Sequence, residues 1–331
     1  MPIDHRNNHA AQEKAPLTGK RVMMHCHDSY GIGHLRRTLT LAAALRAAEP
    51  NVQILITSGS PVATHFALPD GVDIIKLPSV TKSDLGEYIP RGLGDDLQKV
   101  VDLRRRLLRE AFRCFEPQLI IVDHQPLGLC GELTDVLEEA TQSGIPTLLG
   151  LRDILDEPQV VAEEWGHAHM REAIGSLYTK LVVYGDAAIF DVRTEYSLPK
   201  EWSDKIEFTG YVVRRIPEHS ARAIPSIRPT VLVTVGGGED GVGRIHTYLD
   251  MLEESPPLWN SCIVQGPLFP KREARSIKRR ARLLNGLEVH SFHHDIPRLL
   301  AQSDAVVSMA GYNSVTEIVQ SGKPAVFWPR K

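Results

Sequence analysis

Short apolar runs recur along the chain, and longer stretches with one apolar side separate most of them. The runs at 22–25, 52–57, 72–77, 119–122, 147–151 and 181–184 are rich in Val, Ile and Leu. Their length and continuity are those of strands buried on both faces. Between them lie helical patterns. One covers 35–48, with Leu39, Leu41, Ala42 and Leu45 on its apolar side; others cover 95–115, 132–143 and 159–178. Such alternation predicts a parallel sheet with helices on both faces. The series runs to a strand at 206–213. A proline-bearing stretch of poor pattern, 214–229, reads as a linker. The alternation then restarts with a strand at 230–235, the glycines Gly236, Gly237 and Gly238, and a helix at about 242–254. Strands at 261–264, 287–291 and 305–308 follow, with a basic helix at 270–284 between the first two.

The pattern therefore predicts two α/β lobes, 21–213 and 230–331. The chain stops at Trp328-Pro329-Arg330-Lys331, just after an apolar run at 325–327. A parallel strand is normally followed by a crossover or a covering helix, so the second lobe is expected to be incomplete. Residues 1–20 are polar and lack a signal-peptide core, and are expected to form a disordered leader.

Composition narrows the picture. A length of 331 residues suffices for two domains with their own cores. The formal net charge of −3 offers no general attraction to nucleic acid. The arginines at 104, 105, 106, 109 and 113 and the basic run 271–282 have no interleaved aromatics. They read as solvated helix faces, with contact to anionic lipid as the secondary reading. The four cysteines, at 26, 114, 130 and 262, form no C-x-x-C pair. That argues against a disulfide framework or a cysteine zinc site and suits a reducing cytoplasm. No apolar run reaches the ~18 residues of a membrane span.

Two glycine turns carry the candidate chemistry. In Ser308-Met309-Ala310-Gly311-Tyr312-Asn313-Ser314-Val315-Thr316-Glu317, a strand feeds a glycine turn and then a helix. Gly311, Asn313 and Ser314 would lie at a helix N-terminus, where free N–H groups and the helix dipole favour a phosphate. Glu317, one turn further, could reach a ribose diol. Near the start, Asp28-Ser29-Tyr30-Gly31-Ile32-Gly33-His34 joins the first strand to the first long helix. His34 is the first candidate for a general base, because histidine is suited to proton transfer near neutrality. Asp123-His124 ends the strand at 119–122, and strand ends line the crevice of such sheets. This pair is the second candidate; Arg152-Asp153 is a weaker one. Arg36 and Arg37 either face an acceptor phosphate or are solvated. His25, His27 and Asp28 on one side, and His293, His294 and Asp295 on the other, have metal-like spacing without a further converging ligand. No metal and no cofactor is expected.

Together these motifs resemble the GT-B glycosyltransferases, in particular glycosyltransferase family 28. The runs around His27-Asp28-Ser29-Tyr30-Gly31, Gly150-Leu151-Arg152-Asp153 and Val183-Tyr184-Gly185-Asp186 look most like "predicted glycosyltransferase" proteins of that wider group. The resemblance implies two Rossmann-like, doubly wound lobes facing a cleft. It implies inverting, metal-independent transfer of a hexosyl group from a UDP-sugar such as UDP-N-acetylglucosamine to a glycan or lipid-linked acceptor. Gly31, Gly33 and Arg36 would form the acceptor-side loop. Gly236, Gly237, Gly238, Gly311, Asn313 and Ser314 would face the donor diphosphate, and Glu317 the ribose hydroxyls. Phe292 and His293 fall where the family binds the base. A cytoplasmic location follows, with room for peripheral contact at the inner face of the membrane. Two alternatives stay open. The Gly31-Ile32-Gly33-His34-Leu35-Arg36-Arg37 loop is similar to that of nucleotide-sugar hydrolases of nonulosonate pathways, and a nucleotide-sugar binding protein without turnover is the other. A nicotinamide dehydrogenase is disfavoured, because the first loop lacks a third glycine.

Overall fold

A computed structural model describes residues 19–27, 32–83, 86–214 and 227–329. The leader up to residue 18, Gly31, and positions 215–226 of the expected linker lie outside the described residues. The first lobe contains β1 (Arg21–Cys26), α1 (Gly33–Ala48), β2 (Gln53–Ser58), β3 (Val72–Lys76), β4 (Val80–Lys82), β5 (Tyr88–Pro90), α2 (Leu97–Phe115), β6 (Leu119–Asp123), α3 (Thr134–Gln142), β7 (Thr147–Arg152), α4 (Pro158–Gly166), α5 (Ala168–Leu177), β8 (Lys180–Tyr184), α6 (Val192–Glu195), α7 (Lys200–Ser203) and β9 (Ile206–Phe208). The second contains β10 (Thr230–Thr234), α8 (Val242–Glu254), β11 (Asn260–Val264), α9 (Lys271–Ala281), β12 (Leu287–His290), α10 (Ile296–Gln302), β13 (Ala305–Ser308), α11 (Tyr312–Ser321) and β14 (Ala325–Phe327).

The first sheet has the order β3-β2-β1-β6-β7-β8-β9, and all its neighbours are parallel. The second has the order β12-β11-β10-β13-β14, also parallel throughout. In each, the chain works outward from one central strand and then returns to its other side. That leaves a crevice at the carboxyl ends of β1 and β6 in one lobe and of β10 and β13 in the other. The central strands are apolar on both faces because both faces are covered. Val22 and Met24 pack under α1 with Leu39 and Ala42, while Met23 joins Leu108, Leu137 and Ile174 on the opposite side.

Several local expectations are corrected. The strand expected at 206–213 ends at Phe208, because β9 is the sheet edge and pairs only with β8. Gly210, at φ 75°, then turns the chain away. The helix expected over 159–178 is two helices, broken at His167, whose ψ of 134° is extended. The hairpin of β4 and β5 was not visible as apolar alternation, since each strand is only three residues long. Arg104 is not solvated: it is buried against the Glu132 carboxylate, which accepts from both its Nε and Nη2.

Candidate active site

α1 begins at Gly33, which places His34 in its first turn, and β6 ends at Asp123. The crevice between β1 and β6 brings these residues together. His34 Nδ1 lies 2.5 Å from Asp123 Oδ2. Asp123 Oδ1 accepts from Arg37 Nε at 2.9 Å and Nη2 at 2.6 Å. His34 and Arg37 share one face of α1 because residues three apart on a helix are neighbours. Burial works against the Asp123 charge. The Arg37 guanidinium and His34 overcome it, so the carboxyl stays well below its ordinary range. A buried carboxylate so close to Nδ1 takes that nitrogen's proton as a hydrogen bond and leaves Nε2 as the basic atom of the ring.

Two more imidazoles surround His34. The ring centroids of His27 and His124 lie 5.6 and 5.1 Å from its own. Burial, then the neighbouring His34 and His25, push His27 down to about 3, so this ring is neutral across the working range. His124 is also lowered, by burial first and then by His34 and Arg152. Its backbone has φ 71°, a left-handed conformation unusual for a residue with a side chain. Behind the cluster, His25 Nδ1 bonds Thr57 Oγ1 at 3.0 Å, and its Nε2 is 3.3 Å from Glu132. Burial opposes the Glu132 charge, but the Arg104 hydrogen bonds bring its carboxyl down to about 2.

The second lobe meets this cluster across the cleft. Gly311 precedes α11 without a side-chain cap, so the helix starts with open N–H groups. Asn313 Nδ2 donates to the Gly33 carbonyl at 2.8 Å, which sets the start of α11 against the start of α1. Tyr312 donates to the Tyr184 carbonyl at 2.7 Å, and the Arg37 guanidinium lies 5.6 Å from both tyrosine rings. Glu317 is buried and accepts from Arg36 Nη2 at 3.2 Å on each oxygen and from Arg214 Nε at 2.7 Å. Burial opposes its charge, and Arg36 and Arg214 hold its carboxyl below the ordinary range. Arg36, on α1 of the first lobe, therefore reaches across to a glutamate of the second lobe.

The glycines after β10 divide into two roles. A Cβ on Gly238 would meet the Gln265 carbonyl oxygen at 2.4 Å, and one on Gly266 would meet the Gly236 carbonyl oxygen at the same distance. Both have φ near +95°, so these positions lock the turns after β10 and β11 together, backbone on backbone. Gly236 has nothing within 4 Å of where its Cβ would be, and it lines the interlobe crevice with Arg36, Phe66, Phe292 and His293. Gly237 accepts from Leu268 N–H at 2.9 Å. Phe292 meets Phe66 of the first lobe edge to face at 5.7 Å, and His293 Nδ1 accepts from the Asp295 N–H at 3.2 Å. Ser314 lies in the first turn of α11.

The structure thus gathers His34, Asp123 and His124 into one cluster and places Gly33, Gly311, Asn313 and Ser314 beside it. Glu317, Gly236, Phe292 and His293 lie along the crevice. Sequence reasoning left Arg37 undecided and missed Tyr184, Phe66 and the His25–Glu132–Arg104 network. The spacing of His34 and Arg37 on one helix face was the available signal for the first. The others depend on side chains distant in sequence.

Residues 266–331 match the family model described as glycosyltransferase family 28 C-terminal domain. No curated protein sequence matches the chain. Among solved structures, the chain is similar to Medicago truncatula UGT71G1 complexed with UDP-glucose. Identity is 14%, the match covers 95% of this chain and 81% of that one, and the TM-score is 0.59. It is also similar to Phytolacca americana UGT2 complexed with UDP-2fluoro-glucose and pterostilbene, at 14% identity, 94% and 80% coverage and a TM-score of 0.60. Acinetobacter baumannii MurG follows at 14% identity, 94% and 79% coverage and a TM-score of 0.52. At these identities the structural likeness speaks for the two-lobed fold alone, and the family match is confined to residues 266–331 of the second lobe. Residues 266–331 thus resemble the C-terminal domain of glycosyltransferase family 28, and the whole chain shares the two-lobed fold of these solved glycosyltransferases.

Proposed function

We propose that the protein transfers a hexosyl group from a nucleotide-diphosphate sugar, UDP-linked as in UDP-N-acetylglucosamine, to the hydroxyl of a glycan or lipid-linked acceptor, with inversion. The observation that carries this reading is the His34–Asp123 pair, held within the cleft opposite the uncapped start of α11. His34 Nε2 takes the acceptor hydroxyl proton, and Asp123 holds the ring and balances the imidazolium. The acceptor oxygen bonds to the anomeric carbon as the bond from that carbon to the diphosphate oxygen breaks. The negative charge grows on the diphosphate, where the N–H groups of the α11 first turn and of the turn at 236–241 stabilise it without requiring a metal. Phe292 and His293 offer a platform for the base. The Glu317 oxygens already accept three hydrogen bonds, and a carboxylate has about four lone-pair sites. One ribose hydroxyl fits without displacing Arg36. The UDP-sugar ligands named for the Medicago and Phytolacca structures support uridine.

A cytoplasmic location belongs to the same proposal, supported by four scattered cysteines with no C-x-x-C spacing. No helix among the described residues is long and apolar enough to cross a membrane. The exposed basic face of α9 would be the contact with the inner leaflet.

Calorimetric titration with UDP and with 2′-deoxy-UDP tests the donor site. The parent chain is expected to bind UDP more tightly, and Glu317→Gln is expected to erase the preference. Equal discrimination in parent and variant would remove Glu317 from the ribose site. Free sugar released from UDP-N-acetylglucosamine at full rate without any acceptor would instead identify a hydrolase, and saturable binding without turnover a binding protein.

A further inference from the structure

The outer strand β12 of the second sheet pairs only with β11. Glu288 and His290 are alternate residues of β12, so their side chains leave the sheet on one face. In the register of the two strands, Cys262 of β11 stands opposite Glu288. Its side chain lies on the same face, packed with Leu232, Val264 and Leu300 of α10. A thiol, a carboxylate and an imidazole thus converge, and one ligand atom from each lies within 4.8 Å of the other two. His290 Nε2 is 3.7 Å from Glu288 Oε2. Residue spacing did not mark this group, because Cys262 joins it only through strand register.

The donor set selects the ion. A thiolate is a soft ligand that Mg²⁺ and Ca²⁺ do not favour; with an imidazole and a carboxylate it suits Zn²⁺. Three protein ligands leave a fourth tetrahedral position to water. Thiolate and carboxylate together cancel the two charges of the ion, which counts where Cys262 is buried among apolar side chains. Ligand atoms around a tetrahedral zinc stand about 3.3–3.8 Å apart, so the three must draw slightly closer. Glu288 and His290 can supply that movement, since their side chains are 79% and 38% exposed. A cavity of about 440 Å³ reaches Cys262 and Glu288 between the sheet and α10, with Leu299 and Gln302 on its helix side. It gives the ion a way in.

We infer that Cys262, Glu288 and His290 form a zinc site that ties the edge strand β12 to β11. Binding exchanges the thiol proton for the ion, and the proton leaves to solvent. The site stands apart from the transfer chemistry and does not depend on that reading. Its position still bears on the cleft. β12 runs directly into the segment of Phe292 and His293, and the His290 ring meets that of His293 edge to face at 5.6 Å. An ion on His290 fixes the strand end from which that segment departs.

The test uses the full chain, stripped of metal by a chelator and kept reduced. Cys114 and Cys130 are exposed thiols, so the titrations are run in a Cys114→Ser, Cys130→Ser background. A single equivalent of Co²⁺ is expected to give a near-ultraviolet thiolate-to-cobalt band with visible bands of tetrahedral intensity, and Zn²⁺ to bleach both. Cys262→Ser is expected to abolish the thiolate band. Glu288→Gln and His290→Ala change partly or fully exposed positions and should fold. Each is expected to weaken Zn²⁺ about tenfold or more. Saturating Zn²⁺ should raise the melting temperature of the background chain, as an ion bound only to the folded state must, while Mg²⁺ should not. No thiolate band, a band that survives Cys262→Ser, or a band that needs a large excess of Co²⁺ overturns the inference. So does zinc affinity unchanged in both Glu288→Gln and His290→Ala, which decide the matter if Cys262→Ser does not fold. A melting temperature indifferent to Zn²⁺ overturns the tie between the strands.

Discussion

The two lobes share one topology and use it in opposite ways. In each, the crevice opens where the strand order reverses. In the first lobe it is filled with side chains, namely His27, His34, Arg37, Asp123 and His124. In the second, side chains such as Phe292 and His293 share the lining with bare backbone at Gly236 and Gly266, and Gly311 opens α11 without a cap. Side chains deliver protons and fixed charge; bare backbone delivers N–H groups and lets a ligand approach closely. The pairing suits a reaction in which one partner must lose a proton and the other must leave as a diphosphate.

The largest effect that would break this comparison concerns the proton. Under the proposed reaction, His34→Ala is expected to slow sugar transfer about 10²- to 10⁴-fold, with UDP binding by calorimetry unchanged. Asp123→Asn should follow it, because the amide neither holds the ring in the same tautomer nor balances its charge. Transfer at the parent rate in His34→Ala would move the chemistry elsewhere.

Next comes the backbone side. Gly266→Ala places a Cβ 2.4 Å from the Gly236 carbonyl oxygen at a φ of +95°, and strain of this kind costs about 1–3 kcal/mol or more. Urea denaturation should show that loss together with weakened UDP binding. Gly236→Ala meets open space, so about 1 kcal/mol is expected from its positive φ alone. Equal losses in the two variants would contradict the division of roles among the glycines.

The pH dependence of stability sharpens the first lobe. His27 titrates at about 3 in the folded chain against 6.5 for an unperturbed imidazole. Between these values the unfolded chain binds a proton that the folded chain refuses, so stability falls as pH drops from 6.5 towards 3. His27→Gln should flatten that part of the profile measured by thermal unfolding. A profile identical to the parent would show that His27 carries no such linkage.

The smallest effect belongs to the surface. Replacing Arg275 and Arg279 on α9 by Gln should reduce sedimentation with phosphatidylserine vesicles by about 1 kcal/mol per charge. Parent binding that is absent or indifferent to salt would end the membrane reading.

Much of this architecture was legible in the chain. Apolar runs at 22–25, 119–122, 230–235 and 305–308 became β1, β6, β10 and β13, the central strands on which both crevices depend. Their signal is strong because strands buried on both faces leave no room for polar residues. Errors fell where that constraint is weak: the edge strand β9, the three-residue hairpin strands, and the break at His167. Of the candidate site, the residues carried by glycine turns and strand ends were legible, since a turn before a helix has its own local chemistry.

What the sequence determined by itself is the set of local instructions: which runs are strands, where glycine turns expose helix starts, and that His34 and Asp123 stand at strand-helix junctions. What only the tertiary structure decided is who meets whom. That Asp123 holds His34, that Arg36 and Arg214 share Glu317, and that Arg104 is buried on Glu132 are contacts between residues up to 281 positions apart. Helical and strand periodicities report neighbours within a few residues. The order of the strands, and with it every contact across the cleft, is fixed by how whole elements bury their apolar faces against one another.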